Sequence, residues 1–315
     1  MLQRLSLQKQ GFSKDVIETM LSSRRETSNK LYGCYLNKWN SFCISRNIDP
    51  VLASVSDGLD FLQGLYTDVN VHRGISAMST ARSAVSSVIN LPDSSKFGDN
   101  RYVKMFMKGI NSARPSVPRY VHTWDPEIVL DLLRSDDFNP AKDLPLLKLS
   151  KKLVMLILLS TYQRGQIIMA LNLDRYVQIS KDEIVFKILA SDLKQGNVRG
   201  FKPQPITFKT YKENELCVLS HVCTYIDKTS ELRGDVKELM ITSRKPYKEA
   251  TRDTISRWVR DIMTLAGIDT NIFAPGSTRG ASTSDAYKNG VPISEICAKA
   301  GWARESTFRK WYQRD

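Results

Sequence analysis

The chain reads Ala-Gly-Trp-Ala-Arg-Glu-Ser-Thr-Phe-Arg-Lys-Trp-Tyr over residues 300–312, and this stretch decides how the rest is interpreted. Apolar residues at helical spacing precede it over residues 292–300, and Gly301 predicts the end of that helix. Trp302 follows the predicted helix stop directly. The aromatic and basic residues after it predict a last helix that carries Tyr312.

A helix, a glycine turn and a basic aromatic helix are typical of helix-turn-helix DNA binders. Taken alone, residues 293–312 therefore favour a protein that binds DNA without cutting it. This interpretation does not explain three upstream basic residues. Each of them lies at the boundary of a predicted element. They are Arg164 in Thr161-Tyr162-Gln163-Arg164-Gly165-Gln166, Lys194 in Leu193-Lys194-Gln195, and Arg279 in Ser277-Thr278-Arg279-Gly280-Ala281-Ser282-Thr283-Ser284.

These segments, read in this order, resemble the tyrosine recombinases (the phage-integrase-like family), with the greatest likeness to the enzymes of DIRS-type retrotransposons. The resemblance implies a site-specific recombinase or integrase of a mobile element, which cleaves and rejoins DNA through a 3′-phosphotyrosyl intermediate. It implies these catalytic roles: Arg164 and Arg279 hold the scissile phosphate, Lys194 is the general acid, Trp302 contacts the phosphate and Tyr312 is the nucleophile. Two guanidiniums can bind the phosphate oxygens and stabilise the charge of the transition state. No cofactor is implied.

Gly276 departs from the family pattern, because a histidine usually lies three residues before the second arginine. A general acid–base group contributes typically about 10²–10⁴-fold to a rate. An alternative is therefore a weakened or decayed recombinase that acts as a DNA-binding protein. Ile167 stands where an acidic residue often follows the first arginine, and one extra residue separates Trp302 from Tyr312. A type IB topoisomerase, which shares the Tyr–Arg–Lys–Arg chemistry, is the remaining alternative.

The charge of the chain favours a polyanionic partner. Its 315 residues include 46 Lys and Arg against 33 Asp and Glu, a formal net charge of +13. Such an excess attracts nucleic acid over several ångströms. The longest apolar run, Leu153–Leu159, is shorter than the about 20 residues of a membrane span, so no membrane partner is expected. Five scattered cysteines favour a reducing intracellular compartment, and the eukaryotic resemblance implies the nucleus.

The predicted fold is mainly α with a small β-hairpin or sheet, in the two-domain architecture of tyrosine recombinases. Four amphipathic segments predict a helical domain, and residues 183–188 and 205–208 predict the strands of a hairpin within a mixed α/β domain. Three prolines mark a linker between the two domains. The predicted boundaries are an N-terminal arm (1–24), a helical, SAM-like core-binding DNA-binding domain (25–112), a basic linker (113–126) and a catalytic domain (127–315).

Further basic residues are expected to contact double-stranded DNA, on which the resemblance implies a homotetramer. They are Arg114 and Arg119 in the linker, and Arg199 and Lys202 in and after the turn of the hairpin. Cys217, His221 and Cys223 could suggest zinc, but they lie in one helical segment without a second pair of ligands. We therefore expect a packed core there and no metal. The cluster Lys148, Lys151 and Lys152 predicts a solvated helix face.

Overall fold

The computed structural model describes residues 2–24, 26–68, 74–193 and 203–314. The chain divides into two compact units, residues 1–117 and 118–315, and the division falls inside the predicted linker. Helices dominate both units and one small sheet lies in the second, so the predicted fold class is confirmed. Within the described ranges, no helix combines the length and the apolar character that a membrane crossing requires.

The regular elements described in the first unit are all helices. Its helices are α1 (Leu2–Lys9), α2 (Lys14–Ser22), α3 (Glu26–Ser45), α4 (Val55–Thr67), α5 (Ile75–Val85) and α6 (Arg101–Ala113). The apolar positions that recur at helical spacing form its core, with Trp39, Leu62, Met78 and Val85 fully buried. A reciprocal capping box at Ser54 and Asp57 begins α4.

The first 24 residues form two helices that pack onto the rest of this unit. The Ser6 hydroxyl donates to Asn90 Oδ1 (3.0 Å), the Asn90 amide donates back to the Ser6 carbonyl (3.1 Å), and Ile17 is buried. The sequence predicted this stretch only as an N-terminal arm (1–24). It missed α1 because a polar contact across 84 residues holds this helix, and such a contact leaves no apolar periodicity.

The second unit surrounds the long apolar helix α8. Its helices are α7 (Pro126–Arg134), α8 (Leu146–Thr161), α9 (Gln166–Ala170), α10 (Val218–Thr229), α11 (Arg252–Leu265), α12 (Thr278–Lys288), α13 (Ile293–Ala300) and α14 (Glu305–Trp311). Every side chain from Leu153 to Leu159 is buried, and α10, α11 and α12 pack against this helix. Because α8 is covered on all sides, its apolar residues show no helical alternation.

A three-stranded antiparallel sheet of order β1-β2-β3 completes the second unit. Its strands are β1 (Tyr176–Ser180), β2 (Glu183–Phe186) and β3 (Ile206–Lys209). The predicted pairing of β2 with β3 is confirmed, with Ile184 opposite Phe208. The sequence did not predict β1, because this edge strand exposes four of its five residues and shows no buried alternation.

Lys152 corrects the prediction of a solvated basic face on α8. Its side chain is fully buried, and its ammonium group donates to the Phe138 carbonyl (2.9 Å) and to Asn139 Oδ1 (2.8 Å). Burial lowers the pKa of Lys152 to about 8. Lys148 and Lys151 do form ion pairs near the surface. The prediction was wrong for Lys152 because hydrogen bonds to a neighbouring loop let a lysine enter the core.

Candidate active site

Helix α12 brings an arginine into the interior of the second unit. Its sequence consists largely of small residues, which let the helix pack closely against α8. The buried hydroxyls of Thr278 and Thr283 donate to the backbone carbonyls of Pro275 (2.9 Å) and Arg279 (2.7 Å), so neither hydroxyl is left without a partner. The helix therefore buries these two hydroxyls at little cost and carries Arg279 inward.

Arg279 is a buried cation without a carboxylate partner among the described residues. Only 3% of it is exposed, one Nη donates to the Ala300 carbonyl (2.6 Å), and Nε has no partner. Burial and the nearby charge of Arg164 lower the pKa of Arg279 to about 10, so the guanidinium stays charged at neutral pH. A buried charge of this kind is costly unless it is paired, and an anion would pair it.

Trp302 packs against this guanidinium because α13 ends in a tight turn. Gly301 adopts a left-handed conformation (φ 70°), and the N–H groups of Gly301 and Trp302 donate back to Ala298 (3.1 Å) and Cys297 (2.8 Å). The turn places the indole ring 4.4 Å from the guanidinium carbon of Arg279. The indole N–H is buried without a partner, which makes it a free donor beside the arginine.

Tyr312 lies immediately after α14 and packs on the same cluster. Its N–H donates to the Phe308 carbonyl (2.8 Å), and its own carbonyl accepts from the Ser284 hydroxyl (2.6 Å). Its ring centroid is 4.5 Å from that of Trp302 and 5.4 Å from the guanidinium carbon of Arg279. The phenol is therefore held beside the buried arginine by contacts to both its ring and its backbone.

Arg164 approaches the phenol from the turn between α8 and α9. Tyr162 ends α8 in a left-handed conformation (φ 56°), and the Gln163 amide donates to the Lys299 carbonyl (2.6 Å). These contacts fix the turn against α13. Arg164 itself is exposed, and one of its Nη atoms donates to the Tyr312 hydroxyl (3.4 Å).

Three distant parts of the sequence thus meet at the side chain of Tyr312. One guanidinium is exposed and the other is buried, and the latter lies under the two aromatic rings. Two guanidiniums can bind the oxygens of a tetrahedral anion, and a phenol beside that anion can attack it. The geometry places a phenol that can act as a nucleophile beside a pair of guanidiniums that can bind an anion.

The fold has counterparts among solved structures. Similar chains are the XerH site-specific recombinase bound to difH substrate (TM-score 0.59, 14% identity, 91% of this chain and 76% of that chain) and a lambda integrase dimer bound to a COC′ core site (0.52, 15%, 96% and 94%). A third is the Tn1549 transposon integrase in complex with transposon right end DNA (0.51, 12%, 83% and 81%). The chain has the tyrosine-recombinase fold. No protein-family profile and no curated protein matches the sequence.

The lysine expected in this tyrosine-recombinase fold, Lys194, lies outside the described residues, as do Arg199 and Lys202. The chain just before Lys194 is well anchored. The Gln166 amide donates to the Asp192 carbonyl (2.6 Å), and the Asp192 carboxylate pairs with Arg175 (2.5 Å). Gln166 therefore connects the turn that carries Arg164 to the residue two positions before Lys194.

Gly276 is exposed in a single 3₁₀ turn, Pro275–Ser277, that leads into α12. A Cβ atom built at this position would meet no atom within 4 Å. The position therefore has room for a larger side chain, although the residue present offers no acid–base group.

The two predicted DNA contacts of the linker lie in different units. In the first unit, the Arg114 guanidinium lies 4.2 Å from the Tyr66 ring and donates to the Tyr66 carbonyl (3.4 Å). In the second unit, Arg119 is exposed and its guanidinium lies 5.3 Å from the Tyr120 ring. The contact of either residue with DNA stays a prediction.

Sequence reasoning missed the residues that hold the site together. Trp124 is buried and its indole N–H donates to the Ser277 hydroxyl (2.9 Å), which fixes the turn before Arg279. Ser284 lies in the quoted motif, but no role was predicted for it. The one signal for Trp124 was the residue type, since the N–H of a buried tryptophan usually finds a hydrogen-bond partner.

Proposed function

We propose that the chain is a DNA strand-transfer enzyme, a tyrosine recombinase or integrase that cleaves and rejoins DNA through a 3′-phosphotyrosyl intermediate. The single observation that carries the proposal is the convergence of Arg164, Arg279 and Trp302 on the Tyr312 phenol. This constellation was expected from sequence motifs that lie up to 148 residues apart. The tyrosine-recombinase fold of the second unit supports it.

In the proposed reaction the Tyr312 oxygen attacks the scissile phosphorus and the 5′ oxygen leaves. Arg164 and Arg279 bind the non-bridging oxygens and stabilise the charge of the transition state. The unpartnered indole N–H of Trp302 donates to the same phosphate. Lys194 gives a proton to the leaving oxygen, and the phenol proton passes to solvent. Attack by the freed 5′ hydroxyl of another strand then reverses the step, releases Tyr312 and joins the strands.

The proposed substrate is double-stranded DNA. The net charge of +13 favours it, and the XerH recombinase, the lambda integrase and the Tn1549 integrase were each solved with DNA. We propose that the first unit is the core-binding domain, that Arg114, Arg119, Arg199 and Lys202 contact the backbone, and that a homotetramer assembles on two sites. The binding affinity should fall steeply with salt as counterions are released from the DNA.

We further propose that a mobile element of the DIRS retrotransposon type encodes the chain, and that it acts in the nucleus. Both proposals rest on the likeness of the four quoted motifs.

A second function is favoured by one specific observation, the exposed Gly276 that stands where the family has a histidine. Without an acid–base group, the chain would bind DNA and cleave it slowly or not at all. The contacts of Tyr312 fit both functions, so a cleavage assay distinguishes the two.

The test uses nicked suicide duplexes that span the DNA flanking the gene, incubated with the protein in EDTA and resolved on a denaturing gel. The enzyme proposal predicts a covalent adduct from the native chain and none from Tyr312→Phe. An adduct from Gly276→His alone would establish the decayed recombinase. Salt-sensitive DNA binding without an adduct from either protein would refute the strand-transfer proposal.

A further inference from the structure

The backbone around Tyr312 is held by a buried serine on the helix that carries Arg279. Ser284 is 1% exposed, and its hydroxyl both donates to the Tyr312 carbonyl (2.6 Å) and accepts from the Arg314 N–H (3.1 Å). A hydroxyl with one hydrogen is thereby satisfied in both directions. Ser284 thus joins the residues at both ends of the short segment 312–314 to the interior of the unit.

Arg314 extends this contact to the segment that opens the second unit. Its Nε donates to the Tyr120 carbonyl (2.8 Å), and the Tyr120 hydroxyl accepts from the Ala274 N–H (3.1 Å). Ala274 lies five residues before Arg279 on the loop that leads into α12. Tyr120 therefore connects the residues after Tyr312 with the loop before Arg279.

We propose that Ser284 and Arg314 are positioning residues for the nucleophile, and that Tyr120 anchors them. Ser284 and Arg314 act through the backbone of residues 312–314 and not through contact with the phenol. The geometry does not assign Arg314 to DNA, because its Nε and both of its Nη atoms already donate to carbonyls of its own chain. This proposal rests on the proposed function only for its catalytic consequence; the placement of the Tyr312 ring is a property of the free protein.

The expected effect follows from the sensitivity of in-line attack to distance. Loss of either contact frees the backbone that sets the phenol between Arg164 and Arg279. A misplacement of about 1 Å can slow an enzymatic step by roughly 100-fold. We therefore expect the rate of adduct formation to fall by roughly 10- to 100-fold, while the affinity for DNA stays unchanged.

The test places 3-fluorotyrosine at position 312 and records its ¹⁹F resonance in the free protein. The Trp302 ring, 4.5 Å away, shifts this resonance from that of an unfolded chain. Ser284→Ala and Arg314→Lys should each move the resonance toward the unfolded value. Arg314→Lys keeps the positive charge, so the electrostatic attraction to DNA is preserved. Because Arg314 is half-buried, the protein should still fold.

Two matched variants serve as controls. Ser282→Ala removes another buried hydroxyl of α12, which donates to the Arg279 carbonyl of the same helix (3.4 Å), and Arg309→Lys alters an exposed arginine of α14. Both should leave the resonance in place. An unmoved resonance in Ser284→Ala or Arg314→Lys, or an equal shift in the controls, would overturn the positioning proposal. If the resonances move as expected but the native chain forms no adduct, the positioning proposal stands and the proposed function fails.

Discussion

Replacement of Arg279 by methionine tests whether this arginine serves catalysis or stability. Burial and the charge of Arg164 lower the pKa of Arg279 to about 10, a shift that corresponds to a cost of about 3 kcal/mol for holding the charge in the folded protein. Methionine removes that cost and fills similar space. Loss of the bond to the Ala300 carbonyl offsets about 1.5–3 kcal/mol. The free energy of unfolding should therefore stay equal or rise by up to about 1.5 kcal/mol.

The same replacement should nearly abolish strand cleavage. Loss of one preorganised donor to a transition-state oxygen costs about 10²–10³-fold in rate, so adduct formation by Arg279→Met should fall by at least that factor. Stability is measured by urea unfolding at pH 7, and cleavage by the single-turnover rate of adduct formation. If Arg279→Met is at least as stable as the native chain but loses activity, Arg279 serves catalysis and not stability.

Arg233 provides the matched control, since it is also a buried arginine of the second unit. Its guanidinium donates to the carbonyls of Glu238 (2.9 Å) and Leu239 (3.3 Å) and to the Thr229 hydroxyl. Arg233→Met leaves these acceptors without partners and should lower the free energy of unfolding by about 2–4 kcal/mol. A comparable loss in Arg279→Met would refute the reasoning, because Arg279 would then be a structural residue.

Three further predictions concern single side chains. Gly276→His should change the free energy of unfolding by less than about 0.5 kcal/mol, because the position is open. It should raise the rate of adduct formation by about 10²-fold. An unchanged rate would contradict a limiting role for this position. Trp302→Phe keeps a ring against Tyr312 but removes the indole donor, so adduct formation should slow by about 10-fold; a native rate would exclude the indole N–H from the chemistry. Burial lowers the pKa of His221 to about 4, so between pH 6.5 and 4 the unfolded chain binds more protons than the folded one. The free energy of unfolding should therefore fall by up to about 3 kcal/mol as the pH is lowered across that window. Urea unfolding at both limits should show this loss in the native chain and a smaller loss in His221→Leu.

The helical scaffold was predictable because its apolar residues follow helical spacing. The stripes through Trp39 in α3 and Met78 in α5 are buried as that spacing requires. Lys152 and α1 were not predictable on this basis. Both depend on hydrogen bonds to residues elsewhere in the chain, Lys152 to Phe138 and Asn139 and Ser6 to Asn90, and such bonds leave no periodic signal.

The candidate site shows the same division. Motif likeness singled out Arg164, Arg279, Trp302 and Tyr312, and the structure brings these four together. Their supports were missed, because Ser284 acts on a backbone carbonyl 28 residues away, and serine hydroxyls usually bond within their own helix. The role of Lys194 stays a prediction.

The most direct test of the central claim is to identify the residue that becomes linked to DNA. Adducts trapped on a nicked suicide duplex are digested with protease and nuclease, and the modified peptide is sequenced by mass spectrometry. We predict a 3′-linked nucleotide on Tyr312. It should be absent from Tyr312→Phe and retained in Tyr162→Phe, which removes the hydroxyl of the half-buried tyrosine nearest in sequence to Arg164. A nucleotide on any other residue, a 5′ linkage, or an adduct that persists in Tyr312→Phe would contradict the account.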